Sequence, residues 1–193
     1  MIIRKFDDQT LYPGHHSIRL QGYDYSSTGP LFVTIYTHEK RCIFGRIVEA
    51  CVELNRMGRV VRECWKSVPA HFPQVSLHEF AIMPNHVHGI VEIGSQVGAQ
   101  HAAPLPRPSS KTDSGLKAGS LGAVMRSFKA AVAKRAREEL GWHGPVWQRN
   151  YFERVVRNGQ EFADASRYIA ENPARWEWDR ENPQMKLVRL RGE

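Results

Sequence analysis

The stretch VSLHEFAIMPNHVHGIVEI, Val75 to Ile93, limits the possible folds of this chain more than any other segment. Two runs rich in apolar and β-branched residues flank Pro84-Asn85, a pair that favours turns. The spacing predicts strands over Val75–Met83 and His86–Ile93, joined as an antiparallel hairpin. Side chains alternate along a strand. Val87, Val91 and Ile93 therefore share one face, while His86 and His88 project side by side from the other. A lone hairpin is not stable in water and needs partners for its apolar face.

The rest of the chain supplies them. Leu31–Thr37 (LFVTIYT) is β-branched and aromatic and is predicted to be a buried strand. From Phe44 to Trp65 apolar residues recur at helical spacing, through Ile47, Val48, Cys51, Leu54 and Val61, with Gly58 expected to break this helix near its end. Leu121–Leu140 is amphipathic. Ser120 serves as its N-cap, and Leu121, Val124, Met125, Phe128 and Val132 form one face. Arg126, Lys129, Lys134 and Arg137 lie opposite, and Arg135 interrupts the pattern where fraying is expected. A strand is predicted over Val146–Val156, and a last helix over Gln160–Asn172, stopped by Pro173. The order is an α+β one, an antiparallel sheet with helices packed on it. The expected organisation is an irregular arm over 1–30, one domain over 31–178, and a tail over 179–193. A Gly-, Pro-, Ser- and Ala-rich insertion at 94–119 reads as a flexible loop.

A length of 193 residues suits one such domain, and 41% hydrophobic with 24% charged residues is ordinary for a globular protein. No apolar run approaches the roughly 20 residues that span a bilayer, so no membrane partner is expected. Met1–Gln9 lacks the apolar core of a signal peptide. Cys42, Cys51 and Cys64 form no CxxC pair, which fits reduced thiols in the cytoplasm, with Cys51 and Cys64 buried in the helical pattern. Between Arg107 and Gln160 eleven Lys or Arg face four Asp or Glu, so this stretch carries the whole net charge of +7. A polyanion such as nucleic acid suits that concentration of charge, as does a plain solvated face.

His86 and His88 are the sharpest chemical signal. Two adjacent imidazoles hold a divalent ion but leave its coordination incomplete. The chain has no HExxH, no Cys pair, and no His-x-Glu followed by PCxxC, which argues against the familiar zinc sites. A site completed by oxygen ligands suits Mg²⁺ or Mn²⁺. In the last predicted helix Tyr168 and Asn172 are four apart and share a face. They offer an amide oxygen and a phenol one turn apart. By spacing alone the preferred reading is that Tyr168 packs at the core edge beside Phe162, Ala165 and Ile169 and that Asn172 is an ordinary helix end.

Several motifs occur together and in order. AIMPNHVHGIV (81–91) resembles the HUH motif of single-tyrosine transposases. RLQGYDYSSTGPLFVTIYTHEKRCIFG resembles their opening arm and first strand, SLGAVMRSFKAAV their middle helix, and VWQRNYFERVVRN with SRYIAENP their last strand and tyrosine helix. The nearest resemblance is to the REP-associated tyrosine transposase branch, and it covers Arg19 to about Trp176. It implies a ferredoxin- or RRM-like HUH nuclease fold, metal ligands at His86, His88 and Asn172, and Tyr168 as nucleophile. Tyr151 in WQRNYF is the rival tyrosine, with no polar partner four residues later. The 94–119 insertion departs from the pattern.

The implied substrate is single-stranded or hairpin DNA, cleaved and rejoined through a 5′-phosphotyrosine by a cytoplasmic, nucleoid-associated enzyme that is a monomer or a homodimer. Arg126, Lys129 and Arg149 are the candidates for DNA phosphate contacts. Two other readings compete. A non-catalytic RRM-like nucleic-acid-binding protein would leave the histidine pair idle, and a metal-dependent phosphodiesterase using water would leave Tyr168 structural.

Overall fold

The structure, a computed structural model, describes residues 29–94, 119–179, 181–183 and 185. The predicted arm and the 94–119 insertion lie outside the described residues except at their edges. Among these residues six strands, four helices and two 3₁₀ turns follow one another. They are β1 (Gly29–Tyr36), a 3₁₀ turn (His38–Lys40), β2 (Gly45–Val48), β3 (Cys51–Leu54), α1 (Arg56–Lys66), α2 (Val68–His71), β4 (Val75–Ile82), β5 (His86–Ile93), α3 (Leu121–Leu140), β6 (Phe152–Val155), α4 (Gly159–Glu171) and a second 3₁₀ turn (Pro173–Trp178). The α+β class expected from the sequence is the one observed.

The main sheet has the order β4-β5-β1-β6, antiparallel throughout. The predicted hairpin forms its first half. β1 lies on the other side of β5, in a register that sets Tyr36 opposite His86, Thr34 opposite His88 and Phe32 opposite Ile90. The period-two pattern of the two inner strands then decides what each face binds. Leu31, Val33, Ile35, Val87 and Val91 form one face. They are buried under Val61 and Trp65 of α1 and under Val124, Met125, Phe128 and Val132 of α3. Burying each such side chain stabilises the fold by about 1.5–3 kcal/mol. Phe32 and Ile90 belong to the other face, where Ala165 and Ile169 of α4 cover them. α1 and α3 thus share one side of the sheet, and α4 has the other.

Three features differ from the sequence expectation. Phe44–Trp65 is not one helix. Gly45–Val48 and Cys51–Leu54 pair as a separate two-stranded hairpin, and α1 begins only at Arg56, capped by Asn55, whose side chain accepts from the Gly58 amide. Gly58 therefore belongs to the first turn. A Cβ there would stand 2.1 Å from the Phe44 carbonyl oxygen, and Gly is needed for that close approach. Cys51 is consequently exposed in β3, and only Cys64 is buried in a helix. Val146–Val156 is interrupted. Trp147 makes an isolated bridge with Thr37, and pairing resumes at Phe152. Finally, α3 does not fray at Arg135. It runs from the Ser120 cap to the left-handed Gly141, and Arg135 ties it to Glu63 of α1 at 2.8 Å. Among the described residues no helix is long and apolar enough to cross a membrane.

Candidate active site

His86 and His88 open β5 on the face turned toward α4. Both are fully buried, and their Nε2 atoms are 2.9 Å apart. Their outer nitrogens are anchored. His86 Nδ1 meets Asn85 Oδ1 at 2.7 Å, and His88 Nδ1 meets Thr34 Oγ1 at 2.8 Å. Burial pushes the His88 imidazolium down to about 3. Burial first, then repulsion from His88 were it also protonated and from the Lys40 ammonium, holds His86 well below its ordinary range. Both rings are therefore neutral at physiological pH, the form in which an imidazole offers a lone pair to a cation.

α4 places Tyr168 beside His88. Its ring centroid lies 5.3 Å from that of His88, at 68°, and Phe32 of β1 touches both rings, stacked on His88 and edge-on to Tyr168. Asn158 caps the start of α4 by accepting from the Glu161 amide. Ala165 and Ile169 bury its inner face, and this fixes which way Tyr168 turns. Asn172 ends the helix one turn later, buried. Its Oδ1 has no hydrogen-bond partner among the described residues, an unusual state for a buried amide oxygen. No group of three or more His, Cys, Asp or Glu side chains among the described residues could hold a metal ion. The two imidazoles alone would leave a cation's coordination incomplete.

Tyr151 packs instead against the core on the α1/α3 side of the sheet, away from Tyr168. Two of the three expected DNA contacts also fall elsewhere. Arg126 and Lys129 belong to α3, on the opposite face from the histidine pair, and Arg126 is exposed there. The Lys129 ammonium donates to the backbone carbonyls of Gln148, Arg149 (3.1 Å) and Asn150 (3.4 Å), and burial pulls it down to about 8. It holds the 148–150 segment in place. Arg149 is exposed on that segment, next to Gln148, whose amide donates to the carbonyl of Tyr36, the register partner of His86.

Sequence reasoning missed five neighbours. Thr34 and Phe32 come from β1, where register alone brings them in. Asn85 is visible only as a turn residue. Lys40 lies over the Tyr36 ring, which is itself 5.5 Å from the His86 ring, and is paired with Glu181. Trp176 closes the end of the site 6.2 Å from His86. A tryptophan just past a helix end was the one signal for it.

No family model matches the sequence. A solved structure of a REP-associated tyrosine transposase bound to a REP hairpin is similar, with a TM-score of 0.52 and 15% identity over 78% of this chain and 70% of that one. The chain is thus an α+β protein, with an antiparallel sheet and packed helices arranged as in that transposase. At the level of sequence, an uncharacterised protein of Haemophilus influenzae is 41% identical over 167 residues, 86% of this chain and 92% of that protein. The chain belongs to the family of that Haemophilus influenzae protein.

Proposed function

We propose that the chain is a DNA strand transferase of the single-tyrosine HUH type, in the REP-associated branch, acting on single-stranded or hairpin DNA. The observation that carries this reading is the convergence of β5 and α4. A phenol stands 5.3 Å, ring to ring, from one of two neutral imidazoles whose Nε2 atoms face each other at 2.9 Å. The fold likeness to a transposase bound to a DNA hairpin and the chain's +7 charge support it. A water-using phosphodiesterase gives no reason for a tyrosine at this position.

The donor set fits Mg²⁺ or Mn²⁺. His86 and His88 would contribute Nε2, and Asn172 its unpartnered Oδ1, with water and phosphate oxygens filling the remaining positions. When bound, such a cation polarises the phosphate and neutralises developing charge. The chain's own residues do the rest. Tyr168, its phenol proton lost to solvent, forms a bond from its oxygen to phosphorus. The bond from phosphorus to the 3′-oxygen breaks, and that oxygen takes a proton to become a free 3′-hydroxyl. The 5′-phosphotyrosine ester conserves the phosphodiester energy, so a second 3′-hydroxyl reverses the attack and joins strands. Phe32 fixes the angle between His88 and Tyr168, Trp176 limits water at the far end, and Arg149 contacts the DNA backbone.

The test is covalent trapping on a labelled hairpin oligonucleotide with Mn²⁺. The wild-type chain is expected to give an adduct stable to denaturation, and Tyr168→Phe none. A wild-type chain that binds the oligonucleotide without forming an adduct would leave only a binding protein.

A further inference from the structure

We infer that Asn85 is a positioning residue that presets His86 as a metal ligand, and that the Thr34 hydroxyl is a two-way partner that lets His88 convert to one. This rests on the reading of the histidine pair as a cation site. The argument begins away from the histidines. The Asn85 side chain is buried, and its Nδ2 donates to the backbone carbonyls of Glu181 at 2.7 Å and Lys40 at 3.1 Å. Carbonyl oxygens only accept, so the amide cannot be turned round, and Oδ1 is left facing His86 Nδ1. The backbone of Asn85 is held as well, since its carbonyl accepts from the Thr37 amide at 2.9 Å.

An amide oxygen has no hydrogen to give. The hydrogen in the His86–Asn85 contact therefore belongs to Nδ1, and in a neutral ring Nε2 is then bare. That lone pair faces His88 Nε2 at 2.9 Å. Without a cation, the contact is attractive only when His88 carries its hydrogen on Nε2 and gives it to His86. His88 Nδ1 then accepts, and Thr34 Oγ1 donates. With a cation bound, His88 must offer Nε2 as well, so its hydrogen moves to Nδ1 and Thr34 Oγ1 accepts. A hydroxyl rotates between these two roles, whereas a fixed amide does not. His86 thus keeps one tautomer in both states, and His88 exchanges. Outer hydrogen bonds of this kind commonly set the orientation and basicity of metal-bound histidines.

The test uses the full chain. Long-range ¹H–¹⁵N correlation of the chelated protein is expected to show His86 with hydrogen on Nδ1 and His88 with hydrogen on Nε2. Adding Mg²⁺ is expected to leave His86 unchanged and to move the His88 hydrogen to Nδ1. Mn²⁺ binding, followed by electron paramagnetic resonance, is expected to weaken about 10- to 100-fold in Asn85→Leu and in Thr34→Val. Thr34→Val preserves side-chain shape on a strand, and Thr34→Ser, which restores the hydroxyl, is expected to recover most of the affinity. A wild-type chain that binds Mn²⁺ with the His86 hydrogen on Nε2, or Asn85→Leu and Thr34→Val variants with unchanged affinity, would overturn the preset and leave the strand-transfer reading standing. A wild-type chain that binds no Mn²⁺ would overturn both.

Discussion

Tyr168 on α4 lies against His88 on β5, ring centroids 5.3 Å apart, although eighty positions separate them in the chain. Neither residue reaches the other through a loop. Each is fixed on a regular element, and the two elements meet over one face of the sheet. Phe32 fills the corner between them.

Two tyrosines compete for the role of nucleophile, and the sheet separates them. Tyr151 packs on the α1/α3 side and Tyr168 on the α4 side. Tyr151→Phe is expected to leave oligonucleotide cleavage within about twofold of wild type, while Tyr168→Phe abolishes it. Gel quantification of cleaved and adducted strands decides the matter, and loss of cleavage in Tyr151→Phe would move the nucleophile to the wrong face.

Gly89 follows His88 and faces α1, where a Cβ would meet the Trp65 ring at 2.4 Å. Trp65 is fully buried and set edge-on to Phe128, so it has no room to retreat. Gly89→Ala is expected to destabilise the fold by about 1–3 kcal/mol through overpacking. Relief by movement of β5 would displace His88 as well, so metal affinity should fall together with stability. Urea titration beside Mn²⁺ binding checks both, and a variant as stable as wild type would contradict the contact.

Acid should weaken the chelated protein in a defined window. The unfolded chain titrates its histidines near 6.5, whereas burial pushes His88 down to about 3 and His86 well below its usual range. Between those limits the unfolded state binds protons that the folded state does not. Their contribution is complete above pH 6.5 and is lost as pH falls toward 3, by up to about 1.4 kcal/mol per pH unit for each ring. Urea unfolding at pH 7, 5.5 and 4.5 with chelator present measures this slope, and His88→Gln should reduce it. Stability that does not change across the window would contradict burial of the neutral pair.

Lys129 and Arg149 should separate cleanly. Lys129→Met strands the carbonyls of residues 148–150 and is expected to cost about 1–3 kcal/mol of stability. Arg149→Ala should hardly affect stability, weaken oligonucleotide binding, and reduce the slope of log affinity against log salt by about one. Thermal melting and binding at three salt concentrations distinguish the two, and the opposite assignment would restore α3 as the DNA-facing helix.

The hairpin, the shared face of His86 and His88, and α3 with its Ser120 cap are legible in the sequence because each follows from a local period or cap. Region 44–54 is not. Phe44, Ile47, Val48, Cys51 and Leu54 imitate helical spacing, and the turn that makes β2 and β3 a hairpin is formed by Glu49 and Ala50 at positive φ (49° and 61°), where Gly or Asn would have signalled it. At the site, the pairing of Thr34 with His88 depends on strand register across fifty-four positions, which no short pattern encodes. The placement of Arg126 and Lys129 on α3 was legible, but not the face of the sheet that α3 would cover.

Gly89 carries no side chain, and so an indole lies flush behind the strand that bears both imidazoles on its front. The scaffold and the histidine pair are thus two sides of the same backbone. Anyone grafting this pair onto another sheet would need to transplant Trp65 and the helix that carries it along with β5 and α4.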